Sequence, residues 1–331
     1  MSWKSICGAT QGRGHKRKNL PCQDKVAQLE KNGVHIIALA DGAGSAKFSH
    51  FGAECVINSV ANFVADNFYN LLAENNGLKV KQQILNTALN ALSGEMQMHG
   101  CELADLASTL LLAAADEDNF FLAHIGDGVI GYLNEGGLKV ASTPDNGEFS
   151  NVTTFVTSKD AQAHMRIYKG ALKKITAFIL MSDGAEQSLY HKRTGTLAPV
   201  VVKLMHRTCL IAGNILTPQI ADALNSVIAA NTQDDCSLAI LARPSEILPP
   251  INFLPISERQ QLFKITGNFL TRRTRNKILL CDEICNFLKN PATLRQIARI
   301  FHLKILPLKK KLQTLLDAGV IVKVGSHYKI A

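Results

Sequence analysis

The chain has 331 residues, 47% of them apolar and 19% charged, with 23 Gly and 10 Pro. That composition excludes a disordered, collagen-like or low-complexity protein, because it supplies ample apolar material for a core. The formal net charge is +9, but residues 1–250 hold 21 Lys+Arg against 23 Asp+Glu (−2) and residues 251–331 hold 15 against 4 (+11).

In chain order, apolar spacing predicts strands at 34–40, 108–115, 120–125, 129–133, 177–181 and 237–241. Helices are predicted at 50–72, 79–98, 198–212 and 218–230, where apolar residues recur at three- and four-residue steps. Strands come in clusters and helices in clusters, which favours stacked antiparallel sheets with helices outside over a doubly wound parallel sheet. Four prolines between residues 243 and 255 predict an extended connector. The expected division is therefore 1–242, a linker at 243–256, and a basic module at 257–331. No apolar run reaches the roughly 18–20 residues of a membrane span, and residues 1–8 lack the apolar stretch of a secretory signal. The eight cysteines include no Cys-x-x-Cys pair. They read as reduced thiols of a cytoplasmic protein without membrane partners, metal ligation by Cys281 and Cys285 being the alternative.

Three predicted strands end in Asp-Gly: Asp41-Gly42, Asp127-Gly128 and Asp183-Gly184. From 15 Asp and 23 Gly, chance placement gives about one such pair. Any one corner is an ordinary turn. Three, with Asp24 and Asp234-Asp235 besides, suggest carboxylates converging from strand ends. A cluster of oxygen ligands without His or Cys selects Mg²⁺ or Mn²⁺. His124, two residues before Gly126 in an apolar strand, reads as a hydrogen-bonded core histidine.

Here the sequence resembles the metal-dependent Ser/Thr phosphatases of the protein phosphatase 2C family, over about residues 1–242. The matches run in order: Pro21-Cys22-Gln23-Asp24, Ala40-Asp41-Gly42-Ala43-Gly44, Gly126-Asp127-Gly128, Ser182-Asp183-Gly184 and Asp234-Asp235-Cys236-Ser237. The stretch 147–151 with Phe155-Val156-Thr157 is similar to one bacterial branch, and residues 143–170 resemble the flap that borders the site. The resemblance implies an α+β fold, an α-β-β-α sandwich of two antiparallel sheets flanked by helices. It implies hydrolysis of phosphomonoesters by a metal-activated water, with Asp24, Asp41, Asp183 and Asp234 as the catalytic set. Asp41 and the Gly42 carbonyl would hold two Mg²⁺ or Mn²⁺ ions together with Asp24, Asp183 and Asp234, and Asp127 would hold a third ion. The family's phosphate-binding Arg position is Asn19 here, so one of Arg13, His15, Lys16, Arg17 and Lys18 just upstream would take that part, Arg13, His15 and Arg17 before the lysines. His15 would contact phosphate or act as general acid, and is otherwise a plain loop residue. Gln187 stands where a third-ion Asp is common. A phosphorylated protein substrate and an opposing Ser/Thr kinase are implied; a small-molecule phosphatase remains open.

In the basic module, 281–289 predicts a helix, Thr293 caps a second, 305–318 forms a third with Gly319 as stop, and 320–330 forms a hairpin. The order resembles a winged helix-turn-helix. Lys309, Lys310 and Lys311 on its third helix, with Arg273, would contact nucleic acid. The alternatives are a protein-docking or regulatory module, and a DNA-binding regulator that uses the phosphatase fold as a phospho-sensor.

Overall fold

The computed structural model describes residues 2–145, 153–268 and 270–331. It opens with β1 (Lys4–Thr10), α1 (Arg13–Lys18), β2 (Lys25–Lys31) and β3 (Val34–Ala40). Two long helices follow, α2 (Ser49–Ala73) and α3 (Gly77–His99), then β4 (Leu110–Ala115), β5 (Asn119–Ile125), β6 (Val129–Asn134) and β7 (Gly137–Ser142). Next come α4 (Ala161–His164), β8 (Arg166–Ala171), β9 (Ala177–Met181), α5 (Asp183–Leu189), β10 (Tyr190–His191) and β11 (Thr196–Leu197). Then α6 (Val200–Leu210), α7 (Gly213–Ala223) and β12 (Cys236–Ala242) follow. The chain divides into two compact units, residues 1–205 with 219–243, and residues 206–218 with 244–331.

The first unit contains two five-stranded antiparallel sheets, ordered β1-β12-β9-β6-β7 and β2-β3-β4-β5-β8. Strands β3 and β4 are near-continuous apolar runs because both of their faces are covered. Their side chains alternate. Ile36, Ala38, Leu110 and Leu112 join Val56, Val60, Ile84 and Leu92 of the long helices. Ile37, Leu39, Leu111 and Ala113 instead meet Phe178, Leu180 and Leu241 of the facing sheet. On that sheet's outer face, β1 at Gly8 packs against Ile220 and Leu224. The layering is thus helix, sheet, sheet, helix, as expected. Strands β1, β2, β7 and β8 escaped the periodicity reading because they are only partly buried. The last of them occupies 166–171, so the expected flap ends in an edge strand. The stretch 147–151 lies outside the described residues.

The second unit includes α8 (Ile256–Leu262), α9 (Arg272–Phe287), β13 (Ala292–Thr293), α10 (Leu294–Ile300), α11 (Ile305–Asp317), β14 (Ile321–Val324) and β15 (His327–Ile330). The three strands form one sheet, β13-β15-β14. Helix α9 starts nine residues before the predicted 281. Its polar opening, Arg-Arg-Thr-Arg-Asn-Lys, hides an inward face of Thr274, Ile278, Cys281 and Cys285. Burial pushes the Cys281 thiol up to about 11 and Cys285 higher still, and among the described residues no third His, Cys, Asp or Glu side chain joins them in a group that could hold a metal ion. Thr293 and Gln296 close a capping box at α10. Residues 206–218, expected in the first part, belong here: Ala212 N–H donates to the Gly319 carbonyl at 2.7 Å. Gly319 has φ +71°, and a Cβ on it would stand 2.7 Å from Ile211, so no larger residue fits.

Leu39 is fully buried between the sheets. Leu39→Ala should lower the unfolding free energy by about 3 kcal/mol in urea titrations, whereas exposed Gln28→Ala on the neighbouring strand should change it by no more than about 0.5 kcal/mol.

Candidate active site

Antiparallel pairing puts the start of one strand beside the end of its neighbour, and this gathers the carboxylates. Lys25 pairs with Ala40, so Asp24 and Asp41 flank one sheet end. Leu238 and Val129 both pair with Met181, which brings Asp234 and Asp127 to the end of β9, where Asp183 opens α5. Asp41 is fixed at both backbone atoms: its N–H donates to Thr109 Oγ1 at 2.8 Å and its carbonyl accepts from Thr109 N–H at 2.8 Å. Gly42 is buried and bridges to Ser108. Gly184 lies so close to the Asp235 backbone that a Cβ would meet the carbonyl oxygen at 2.0 Å. That contact locks α5 against the 232–235 loop.

These carboxylates disturb one another. Asp24 is buried, and burial raises its pKa to about 6, with Asp235 adding to the rise. The Ser237 and Ser182 hydroxyls and Asp41 oppose that rise, yet neither Asp24 oxygen completes a hydrogen bond. Asp41 is pushed well above the ordinary carboxylate range, first by burial and then by Asp24, Asp183, Asp127 and Asp234. Asp183 is raised to about 7 by burial and by Asp234, Asp127 and Asp24. One Asp183 oxygen is also buried without a partner. Buried, partnerless carboxylates that repel one another lack a counter-charge.

The donor set fits a hard divalent cation, since it offers carboxylate oxygens and no thiolate or imidazole. Among the described residues, however, no three His, Cys, Asp or Glu side chains stand in a group that could hold a metal ion. The five carboxylates are electrostatic neighbours without forming a closed ligand cage. Thr153 Oγ1 donates to Asp127 Oδ2 at 2.6 Å. At the expected third-ion position Gln187 is exposed, and the buried carboxylate beside it is Glu186, which pairs with Lys192 Nζ at 2.5 Å.

The sequence reading named Asp235 beside Asp234 but assigned it no role of its own. Its carboxylate is buried and accepts from Gly12 N–H at 2.6 Å and Gln23 N–H at 2.6 Å, and it contacts His15 Nδ1 at 2.9 Å. It therefore clamps the N-terminal loop beside Asp24 and holds His15 in place. The doubled acid Asp234-Asp235 was the available signal. Asp234 itself is exposed, and its Oδ1 accepts from Asp235 N–H at 3.0 Å. Arg13 and Arg17 do not join His15 at this clamp. Arg13 Nε donates to the Thr232 carbonyl at 3.1 Å, and Arg17 donates to Gln233 Oε1.

His124 is fully buried, and burial lowers its pKa to about 3. The neutral ring donates from Nε2 to the Gly126 carbonyl at 3.0 Å and accepts the Ser142 hydroxyl at 2.7 Å through Nδ1. It props the Gly126-Asp127 corner and has no nitrogen left for a ligand. In the second unit, Lys309, Lys310 and Arg273 are exposed, and Lys311 is half-buried.

A family model described as protein phosphatase 2C matches residues 11–225. Serine/threonine-protein phosphatase 3 of Escherichia coli (strain K12) is 27% identical over 201 residues, 56% of this chain and 75% of the relative. The crystal structure of a bacterial serine phosphatase matches with TM-score 0.51 and 14% identity, covering 74% of this chain and 99% of that one. An arginine-to-lysine variant of a bacterial serine phosphatase matches with TM-score 0.52, 14% identity and the same coverage. At such identity the structural likeness speaks for the fold. The family match spans well over half of the chain, which belongs to the protein phosphatase 2C family and is a protein serine/threonine phosphatase.

Proposed function

We propose that the chain hydrolyses phosphoserine and phosphothreonine esters of proteins with Mg²⁺ or Mn²⁺ held by Asp24, Asp41, Asp183 and Asp234. The observation that carries this reading is the set of carboxylates that raise one another's pKa, with both Asp24 oxygens and one Asp183 oxygen buried without a partner. When bound, two such ions would activate water and neutralise phosphate charge. The chain's own residues do the rest. The Thr109 contacts orient Asp41 at its backbone, and the Gly42 carbonyl lies beside it to join the ligands. Asp235 positions His15, whose Nε2 is the nitrogen left to meet the phosphate. Asp127 is the candidate for a third ion, although the Glu186–Lys192 pair already brings a positive charge to that side.

The substrate is a phosphorylated protein, opposed by a Ser/Thr kinase. Free cysteines throughout the described residues suit a reducing cytoplasm, and no described helix is long and apolar enough to cross a membrane. For the second unit we propose a winged-helix targeting module, since two helices and a hairpin follow α9 in that order. Exposed Lys309, Lys310 and Arg273 support nucleic-acid contact. Exposed Ile305 and Leu306 at the start of the same helix support a protein partner instead. Duplex-DNA binding that weakens steeply with salt would favour the first; only a folded chain without phosphatase turnover would favour the DNA-binding regulator that uses its phosphatase fold as a phospho-sensor.

Asp41→Asn and Asp183→Asn should each lower Mn²⁺-dependent hydrolysis of p-nitrophenyl phosphate and of a phosphothreonine peptide by on the order of 10²-fold or more, with circular dichroism unchanged. Release of phosphate that survives EDTA would refute the reading.

The metal-free protein should also respond to pH. Asp24 and Asp183 have pKa values near 6 and 7 in the fold, against an ordinary 3.8. Between those limits the folded state binds more protons than the unfolded chain, so stability falls as pH rises through the window. Thermal melts of EDTA-treated protein should therefore show a lower Tm at pH 7.5 than at pH 5. Added Mn²⁺ should recover the loss, and Asp183→Asn should flatten the slope.

A further inference from the structure

The function above leaves one group of charges unused. Arg13, Lys16, Arg17 and Lys18 are all exposed on α1. Three of them, Arg13, Lys16 and Arg17, line a cleft of about 350 Å³ together with Gln233. None of the five carboxylates of the candidate centre lines it. Among the described residues, none of these three cations forms an ion pair with an acid.

Their tethers are nevertheless specific. Lys16 Nζ donates to Asn225 Oδ1 at 2.9 Å, Arg13 to the Thr232 carbonyl and Arg17 to the Gln233 amide oxygen. The backbone beneath them is bonded to the same loop, with Gly14 N–H donating to the Gln233 carbonyl at 2.8 Å. All of these acceptors are neutral. The side chains are thus held in place while their charge stays uncompensated, which is the arrangement that binds an anion at low ordering cost.

The cleft also has a fixed relation to the candidate centre. Gln233 immediately precedes Asp234, and Asp235 holds both Gly12 and His15. The loop that carries Gln233 of the cleft thus also carries Asp234 of the candidate centre.

We infer that the Arg13–Lys16–Arg17 cleft reads a second anionic side chain on the phosphoprotein, next to the residue being dephosphorylated. This rests on the phosphatase reading and adds a substrate class: segments with acidic or further phosphorylated flanks. It also takes Arg13 and Arg17 out of the contact with the scissile phosphate and leaves His15 there.

The test compares phosphothreonine peptides that differ in one neighbouring residue: Glu, phosphoserine, Ala or Lys. Wild-type kcat/KM should be on the order of tenfold higher for the anionic flanks than for Lys, and the gap should shrink as salt rises. The Glu and phosphoserine peptides separate a carboxylate site from a phosphate site. Lys16→Glu, verified by its melting curve, should reverse the order of the Glu and Lys peptides. Equal kcat/KM across the series, or a ranking that Lys16→Glu leaves intact, would overturn the inference. Turnover of p-nitrophenyl phosphate in the same preparation keeps this separate from the phosphatase reading, because a preparation that hydrolyses it without ranking the peptides refutes only the cleft.

Discussion

Five carboxylates brought to one end of two facing sheets repel one another, and the first unit is built to hold them there in spite of that. The repulsion is visible in the raised pKa values of Asp24, Asp41 and Asp183. It is sustained by the register of β2 with β3 and of β9 with β6 and β12, which cannot slip without turning each apolar face outward. The core thus supplies the restraint that the site spends. A divalent cation is the natural remedy for such a site, because it satisfies several oxygens at once and adds charge of the right sign.

Around this cluster sits a second, quieter arrangement. Asp235 is as buried as Asp24 but fully engaged, accepting two backbone N–H groups and contacting His15. It ties residues 12–23 to the loop that carries Asp234, so parts of the site far apart in sequence are held together. The contrast with Asp24 shows how two adjacent buried acids serve different ends. One is satisfied and structural, and the other is unsatisfied and available.

Much of this was legible in the sequence. The apolar runs of β3, β4 and β9 and the Asp-Gly corners that follow strands identified the layers and the acidic cluster. Partly buried edges were harder: β1, β2 and β8 alternate too weakly to stand out, and α1 has no buried residue. The division of labour within the site was not legible either. Spacing cannot distinguish Asp235, which clamps, from Asp234, which is exposed. Nor does a run of cations reveal that Arg13 and Arg17 bond to loop 232–233 instead of joining His15 at the clamp. Those distinctions depend on side-chain partners more than 200 positions away in the chain. In the second unit, the polar start of α9 concealed its length for a similar reason, since its buried face is one stripe among many charges.

The most direct measurement of the central claim is the number of protons released when Mn²⁺ binds, obtained by calorimetry at pH 6 in buffers of different ionisation heat. If the carboxylates share uncompensated charge, Asp183 and part of the Asp24 population carry protons at that pH and must shed them, so binding should release more protons at pH 6 than at pH 8. Mn²⁺ binding with no proton release at either pH, or no binding at all, would contradict the account.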